Sequence, residues 1–227
     1  MTFSLLLRDS DTGEFGAVIS SSSPAVSARC LNLKDGVGAA SSQNVTDPRL
    51  GPAMIEAMER GKQAQLAVDS VVAAGDRGSM SFRQLLAIDR DGETAAYSGK
   101  EALGTFGSRL ERNAVAGGNM LSSLEVLDAL VEAALGSAGC IEEKLYAGLQ
   151  AAINAGGEAG PVHSAGLAVV SDVGWRVTDL RVDWHDDDPI GQLGNLVKIW
   201  LPRKADYVNR GLDPASSPSY GVPGDDR

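Results

Sequence analysis

Patterns typical of β-hairpins alternate with pairs of amphipathic helices along this chain, and few folds accommodate that order. Residues 3–8 (FSLLLR) and 15–20 (FGAVIS) are short apolar runs on either side of the turn-forming DSDTGE, which predicts a first hairpin. The runs FRQLLAID and TAAYSG around the turn DRDGE predict a second, and HSAGLAVVSD with GWRVTDLRVD a third. Each hairpin implies antiparallel pairing.

Helices are predicted where apolar residues recur at i, i+3 and i+4. The first pair covers 49–60, after Asp47-Pro48, and 62–74. The second pair is LSSLEVLDALVEAAL, entered through a serine cap, and CIEEKLYAGLQAAINA. A last short helix is expected after HDDD, with Asp188 as N-cap and Pro189 at the first helical position. The runs AVSARCLNL, GVGAASSQ and RNAVAGGN are predicted as further strands.

Each helix pair must bury its apolar stripe against a sheet face. Two stacked sheets with helices outside meet this requirement, so we expect an α+β fold, a four-layer α-β-β-α sandwich with two mainly antiparallel sheets. The chain has 227 residues, 43% of them hydrophobic, and no central boundary, which predicts one domain over 1–201. Residues 202–227 are rich in Pro, Gly and Ser and are predicted to be an irregular tail that packs on the domain or on a partner subunit.

The charge balance narrows the classes of partner. A net charge of −10 and a pI of about 4.7 oppose binding to nucleic acid or anionic lipid. Apolar stretches such as VLDALVEAAL fall short of the ~20 residues that a membrane span needs, and no signal pattern opens the chain, so the expected location is cytoplasmic. Apolar residues in the tail (Tyr207, Leu212, Tyr220 and Val222) predict a homo-oligomer, most simply a dimer.

No cofactor or metal is expected. Cys30 and Cys140 lie far apart without a CxxC grouping and are interpreted as free thiols. His163 and His185 are 22 positions apart, and the acids 186–188 are better explained as helix caps than as ligands. Neither a GxGxxG sequence in a strand-turn-helix context nor GxxxxGK[ST] occurs.

The second residue is a candidate nucleophile. If Met1 is removed, as happens when the next side chain is small, Thr2 carries a hydroxyl and a free α-amine on one residue. An α-amine with a pKa of ~7.7–8.0 is partly neutral near pH 7 and can take the proton of the hydroxyl. The alternative is that Thr2 merely starts a strand; if Met1 is retained, the amine is held in a peptide bond and the base is lost.

Other polar residues are candidates for the same site. Gly117, Gly118 and Asn119 end a predicted strand and can offer N–H donors to an oxyanion, although glycines there also suit a turn. The serines of 20–23, including Ser20 and Ser21, and the pair Gln43 and Asn44 are expected at strand ends, where they can line a polar pocket and bind an amide substrate.

Several motifs in one order resemble the bacterial domain of unknown function 1028 family: TFSLLLRDSDTGEFG, GVGAASSQNVTDPRLGP, AAYSGK, GGNML, DLRVDWHDDDPIGQL and SYGVPGD. The resemblance implies membership of the N-terminal-nucleophile (Ntn) hydrolases, which share the α-β-β-α sandwich and use an N-terminal Thr, Ser or Cys, usually on an amide bond. Thr2 matches that place. Lys34 lies at a spacing from Thr2 close to that of a catalytic lysine in proteasome-type relatives, but KDG equally suits an exposed turn.

The expected function is therefore hydrolysis of an amide bond in a small molecule or short peptide. One alternative is a non-catalytic ligand-binding or scaffold protein on an inactive sandwich. Another is a hydrolase with an internal serine and a histidine base, which predicts that His163 or His185 lies beside a serine.

Overall fold

The structure, a computed structural model, describes residues 1–225. Within them, ten strands form a six-stranded sheet of order β10-β9-β2-β1-β8-β7 and a four-stranded sheet of order β3-β4-β5-β6, with every neighbouring pair antiparallel. The strands are β1 Thr2–Arg8, β2 Phe15–Ser21, β3 Leu31–Lys34, β4 Gly38–Asn44, β5 Arg83–Asp89, β6 Thr94–Ser98, β7 Gly107–Glu111, β8 Ala114–Asn119, β9 Ser164–Val170 and β10 Arg176–Val182. The expected α+β class with two antiparallel sheets is confirmed.

Helices connect and cover these strands. They are α1 Val26–Cys30, α2 Leu50–Glu59, α3 Ala64–Ala74, α4 Arg77–Met80, α5 Glu125–Gly136, α6 Ile141–Asn154, α7 Pro189–Trp200 and α8 Lys204–Leu212, with a 3-10 turn at Leu201–Arg203. The predicted start of α7 is confirmed, because the Asp188 side chain accepts the N–H of Gly191 and Pro189 occupies the first turn.

Three apolar cores fix the order of the layers. On β1, Phe3, Leu5 and Leu7 pack with α5 and α6 on one face of the six-stranded sheet. Leu6 points to the opposite face and packs between the sheets, against Leu86 and Val115 among others. A further core joins α2 and α3 to the outer face of the four-stranded sheet. The period-two alternation of side chains along β1 thus divides its residues between two cores.

The structure differs from the prediction in three places. Residues 26–30 were expected in a strand but form α1, where Val26 and Cys30 bury one helical side. Strand β7 lies between the predicted strands TAAYSG and RNAVAGGN, where no strand was expected, and α5 begins after Leu124 without the expected serine cap.

The predicted irregular tail is also partly helical, because α8 occupies 204–212. Its Lys204 contacts the fully buried Glu142 of α6 at 2.8 Å. Tyr207 packs against Trp200 with ring centroids 5.2 Å apart, and Arg210 lies over the Tyr207 ring. The tail contacts the domain through these side chains, and its last two residues, 226 and 227, lie outside the described part.

Candidate functional site

The space between the two sheets changes from apolar to polar along β1. Leu6 contributes to the apolar core there, while Ser4, two residues earlier on the same face, donates to Gln43 Oε1 across the sheets at 2.6 Å. Thr2 continues this face at the first position of the strand and is 6% exposed. The start of the central strand β1 is therefore where the interior becomes polar.

A network of fully buried amides fills this polar end. Gln43 Nε2 donates to Gln84 Oε1 at 2.8 Å and to the carbonyl of Gly117 at 3.0 Å. Gln84 Nε2 donates to the carbonyl of Gly118 at 3.0 Å, and Asn119 Nδ2 donates to Gln84 Oε1 at 3.3 Å. Buried polar groups are costly unless hydrogen-bonded, so this network holds the two sheets in one relative position.

The hydrogen bonds of this part of the structure affect which predicted residues are free to contact a substrate. Gln43 uses its amide within the protein, so a substrate contact would have to break these bonds. Gly117 and Gly118 lie in β8, which pairs with a strand on each side, so their N–H groups belong to sheet ladders rather than to a free oxyanion site. Asn119 is the register partner of Thr2 on β8, and its Oδ1, although buried, has no hydrogen-bond partner within residues 1–225.

Thr2 lies between Ser21 on β2 and Asn119 on β8. Its Oγ1 donates to the carbonyl oxygen of Met1 at 2.5 Å and is 3.1 Å from Ser21 Oγ. Ser21 Oγ donates to the same carbonyl at 2.6 Å. Two hydroxyl groups therefore hold the carbonyl of the peptide bond that precedes Thr2.

Met1 covers this site. Its amine donates to Ser22 Oγ at 3.3 Å, and burial lowers the pKa of that amine, while the charge of Glu158 opposes the shift. Its side chain lies against Gly160, where an added Cβ would be 2.5 Å from Met1 Cε. With Met1 in place the nitrogen of Thr2 is an amide, so the pairing of amine and hydroxyl forms only after Met1 is removed.

Glu158 is a site residue that the sequence prediction missed. It is 6% exposed, and its carboxylate accepts Ser20 Oγ at 2.9 Å and the N–H of Ser22 at 3.2 Å. Burial raises the pKa of Glu158 to about 7, against the lowering effects of the Ser20 hydrogen bond and the Met1 amine. The residue lies 138 positions from Ser20, in a loop between α6 and β9, and no local pattern marks it.

The predicted serines lie at the site but face different ways. Ser21 points to Thr2, whereas Ser20, its neighbour on the strand, points to Glu158 on the other face. Asn44 does not join them, because it donates to the carbonyl of Phe82 and accepts the N–H of Leu103.

Lys34 is not brought to Thr2. It pairs with Gly38 at the opposite end of β4 from Gln43, a separation of roughly 17 Å for five residues of strand. Its Nζ forms an exposed ion pair with Glu59 at 2.6 Å.

The histidines support neither a serine-histidine site nor a metal centre. His163 Nδ1 is 3.1 Å from the carbonyl of His185, and its ring stacks on Trp184 at 4.3 Å. His185 Nδ1 accepts the N–H groups of Asp187 and Asp188. Among residues 1–225, neither imidazole hydrogen-bonds a serine hydroxyl, and no three His, Cys, Asp or Glu residues are grouped as metal ligands.

Five pockets in the described part of the chain lie away from Thr2. A cavity of about 630 Å³ between the start of α6 and α8 is lined by Glu142, Lys204 and Leu212 among others, and four smaller cavities are likewise lined by residues away from Thr2. Across residues 1–225, the helices are too short or too polar to cross a membrane.

Comparisons with known proteins agree on a family. The sequence model of DUF1028, a family of unknown function, matches residues 2–193. The crystal structure of protein SPO2555 from Silicibacter pomeroyi, of the same family, superposes with a TM-score of 0.83 at 32% identity over 92% of this chain and 94% of that one. Anbu (ancestral beta-subunit) from Yersinia bercovieri gives a TM-score of 0.37 at 9% identity over 87% and 96% of the two chains. Among curated proteins no match was found.

Proposed function

Because the chain belongs to the DUF1028 family, whose function is unknown, we propose a function from its own residues: hydrolysis of an amide bond in a small molecule or short peptide by Thr2, after Met1 is removed. One observation carries this proposal. The Thr2 hydroxyl lies at the start of the central strand, between the sheets, and hydrogen-bonds an amide carbonyl at 2.5 Å.

The reaction uses the two groups of Thr2. The hydroxyl oxygen attacks the substrate carbonyl carbon, and the α-amine takes the hydroxyl proton and passes it to the leaving nitrogen as the C–N bond breaks. Water then attacks the resulting ester, which releases the acid and restores the hydroxyl. Burial lowers the pKa of the Met1 amine; a comparable effect on the Thr2 amine would favour its neutral, basic form near pH 7.

Ser21 is the proposed donor to the developing oxyanion. Its hydroxyl already donates to the Met1 carbonyl at 2.6 Å, close to Thr2 Oγ1, and such a donor contributes most where charge develops in a buried site. Asn119 is the second candidate because its amide is buried beside Thr2 in register, and its Nδ2 carries a second N–H besides the one that it donates to Gln84 Oε1. Gly118 and Lys34 are not retained in the proposal.

The arrangement of the layers also supports the proposal. The order helices, six-stranded sheet, four-stranded sheet, helices is the order that the family resemblance implies for an Ntn-type α-β-β-α sandwich, and in this proposal Thr2 takes the place of its nucleophile. The family resemblance of the opening motif had implied the same place for this residue.

The test begins with intact mass spectrometry of the native protein. Chain that lacks Met1 is then assayed on a panel of amides, with Thr2→Ala expected to lose activity and Thr2→Ser to retain it. Ser21→Ala is expected to lower kcat by about 10²-fold or more, while Ser108→Ala, exposed on β7, serves as a matched control. Equal turnover by Thr2→Ala and wild type would refute the proposal.

A non-catalytic ligand-binding or scaffold role is the second candidate, and the position of Met1 favours it. Met1 covers Thr2 and holds its nitrogen in a peptide bond. Complete retention of Met1 in a native preparation would support this role and exclude the N-terminal nucleophile.

A further inference from the structure

Met1 occupies the space that the acyl part of a substrate would take during the proposed reaction. We propose, resting on the proposed function, that the substrates are amides of α-amino acids with a free amine and an unbranched apolar side chain, and that Glu158 and Gly160 recognise these two groups.

The Met1 carbonyl group lies beside the hydroxyl of Thr2. The Met1 acyl group is bonded to the nitrogen of Thr2, while its oxygen is 2.5 Å from Thr2 Oγ1. The nitrogen and Oγ of one threonine are about 3 Å apart in a staggered rotamer. An acyl group bonded to Oγ would therefore lie close to the position of the Met1 acyl group, with its oxygen near the hydroxyl of Ser21.

The Met1 amine lies beside Ser22. The Met1 amine donates to Ser22 Oγ at 3.3 Å, and the backbone N–H of the same serine donates to the Glu158 carboxylate at 3.2 Å. The carboxylate is fixed by Ser20 Oγ and by the N–H of Ser22, so it cannot easily turn away. A buried carboxyl group at this position favours an acyl group with a free amine on its α-carbon, charged or neutral, and disfavours an acylated amine.

The Met1 side chain packs against Gly160. Gly160 has no Cβ, and one added there would lie 2.5 Å from Met1 Cε and 3.0 Å from Met1 Sδ. The thioether therefore packs directly on the backbone at residue 160. This contact suits a flexible, unbranched apolar chain, and any larger residue at position 160 would fill its place.

The chemical step is balanced without a further reactant. Thr2 Oγ forms an ester with the aminoacyl carbon, the amide C–N bond breaks, and the hydroxyl proton leaves with the released amine or ammonia. Water hydrolyses the ester to the free amino acid and restores Thr2. Throughout, Glu158 attracts the α-amine of the acyl group, which hydrogen-bonds Ser22, and Glu158 is not itself a reactant.

The experiment uses protein shown by intact mass to lack Met1. Hydrolysis of L-methioninamide is compared with that of N-acetyl-L-methioninamide and of 4-(methylsulfanyl)butanamide, which lacks the amine. We expect kcat/KM for the free amine to be about tenfold higher or more, since 1.4 kcal/mol corresponds to a factor of ten. Glu158→Gln should reduce this ratio toward one, whereas Glu132→Gln, exposed on α5, should keep it.

A side-chain comparison tests Gly160. Gly160→Val should lower the ratio of L-methioninamide to glycinamide turnover about tenfold, and Gly160→Ala provides a milder variant if the first does not fold. Calorimetric binding of L-methioninamide to processed Thr2→Ala protein, with and without Glu158→Gln, measures recognition without turnover, and a weaker affinity is expected with Glu158→Gln.

The outcomes separate the two proposals. Processed protein that hydrolyses none of these amides, but hydrolyses another amide of the panel through Thr2, would overturn this inference alone. Inactivity on the whole panel would overturn the proposed function, and this inference with it. Hydrolysis that depends on Thr2 but is equal or faster for the N-acetylated amide would leave the function standing and overturn the aminoacyl inference alone.

Discussion

Glu158→Gln should change how the stability of the protein depends on pH. The substitution keeps the shape of the side chain and an acceptor for the N–H of Ser22, but it removes a carboxyl group whose pKa burial raises to about 7 from 4.5. Because the folded protein binds this proton more tightly than the unfolded chain, the contribution of Glu158 to stability is fully present below the unfolded pKa and is lost as pH rises through about 7.

The magnitude follows from the shift. The rise of the Glu158 pKa from 4.5 to about 7 corresponds to roughly 3 kcal/mol of unfolding free energy, at about 1.36 kcal/mol per pKa unit. Most of this stabilisation is lost between about pH 5 and about pH 8. The wild-type free energy of unfolding should therefore fall by on the order of 3 kcal/mol, relative to that of Glu158→Gln, over this interval. Since Glu158 is 6% exposed, solvent screening reduces this value little.

The assay is urea unfolding at a series of pH values, with the free energy extrapolated to water. Wild type, Glu158→Gln and the exposed control Glu132→Gln are compared in the same state of Met1 processing, because the Met1 amine lowers the pKa of Glu158. Curves for wild type and Glu158→Gln that stay parallel across the interval would refute the reasoning.

Two further predictions concern the packing of the chain, both measured by urea unfolding. Lys204→Met leaves Glu142 buried without its cationic partner at 2.8 Å, so the free energy of unfolding should fall by about 3–5 kcal/mol. The double variant with Glu142→Gln should recover much of this loss. A loss below about 1 kcal/mol in Lys204→Met alone would contradict the prediction. Leu86→Ala removes a fully buried side chain between the sheets and should lower the free energy of unfolding by about 2–5 kcal/mol. Leu66→Ala, at a side chain that is 56% exposed on α3, should lower it by only about 0.5 kcal/mol. Similar losses for the two variants would show that the inter-sheet core is loosely packed.

The local periodicities predicted most elements because each one records a buried face. FSLLLR and FGAVIS alternate between two cores and form β1 and β2, and the i, i+3, i+4 repeats form α2, α3, α5 and α6. The segment 26–30 was predicted wrongly as strand because its apolar residues also suit one turn of helix, which buries Val26 and Cys30. Strand β7 carries little apolar signal because it is the edge of its sheet, with Ser108 and Leu110 exposed.

The candidate site was only partly predictable. Thr2 and Ser21 were predicted because they lie at the paired ends of one hairpin, a local relation. Lys34 was suggested by its spacing along the chain, but the turn before β4 places it at the far end of that strand, beside Glu59.

The sequence by itself determined most of the elements, the strand pairing within three hairpins and a candidate nucleophile at residue 2, because these depend on side chains close together in the chain. Only the tertiary structure decided that Glu158 lies beneath the first residue and that Gln43, Gln84 and Asn119 join the two sheets. The physical reason is that burial and hydrogen bonding between distant segments set the ionisation and orientation of these groups, and no local pattern carries that information.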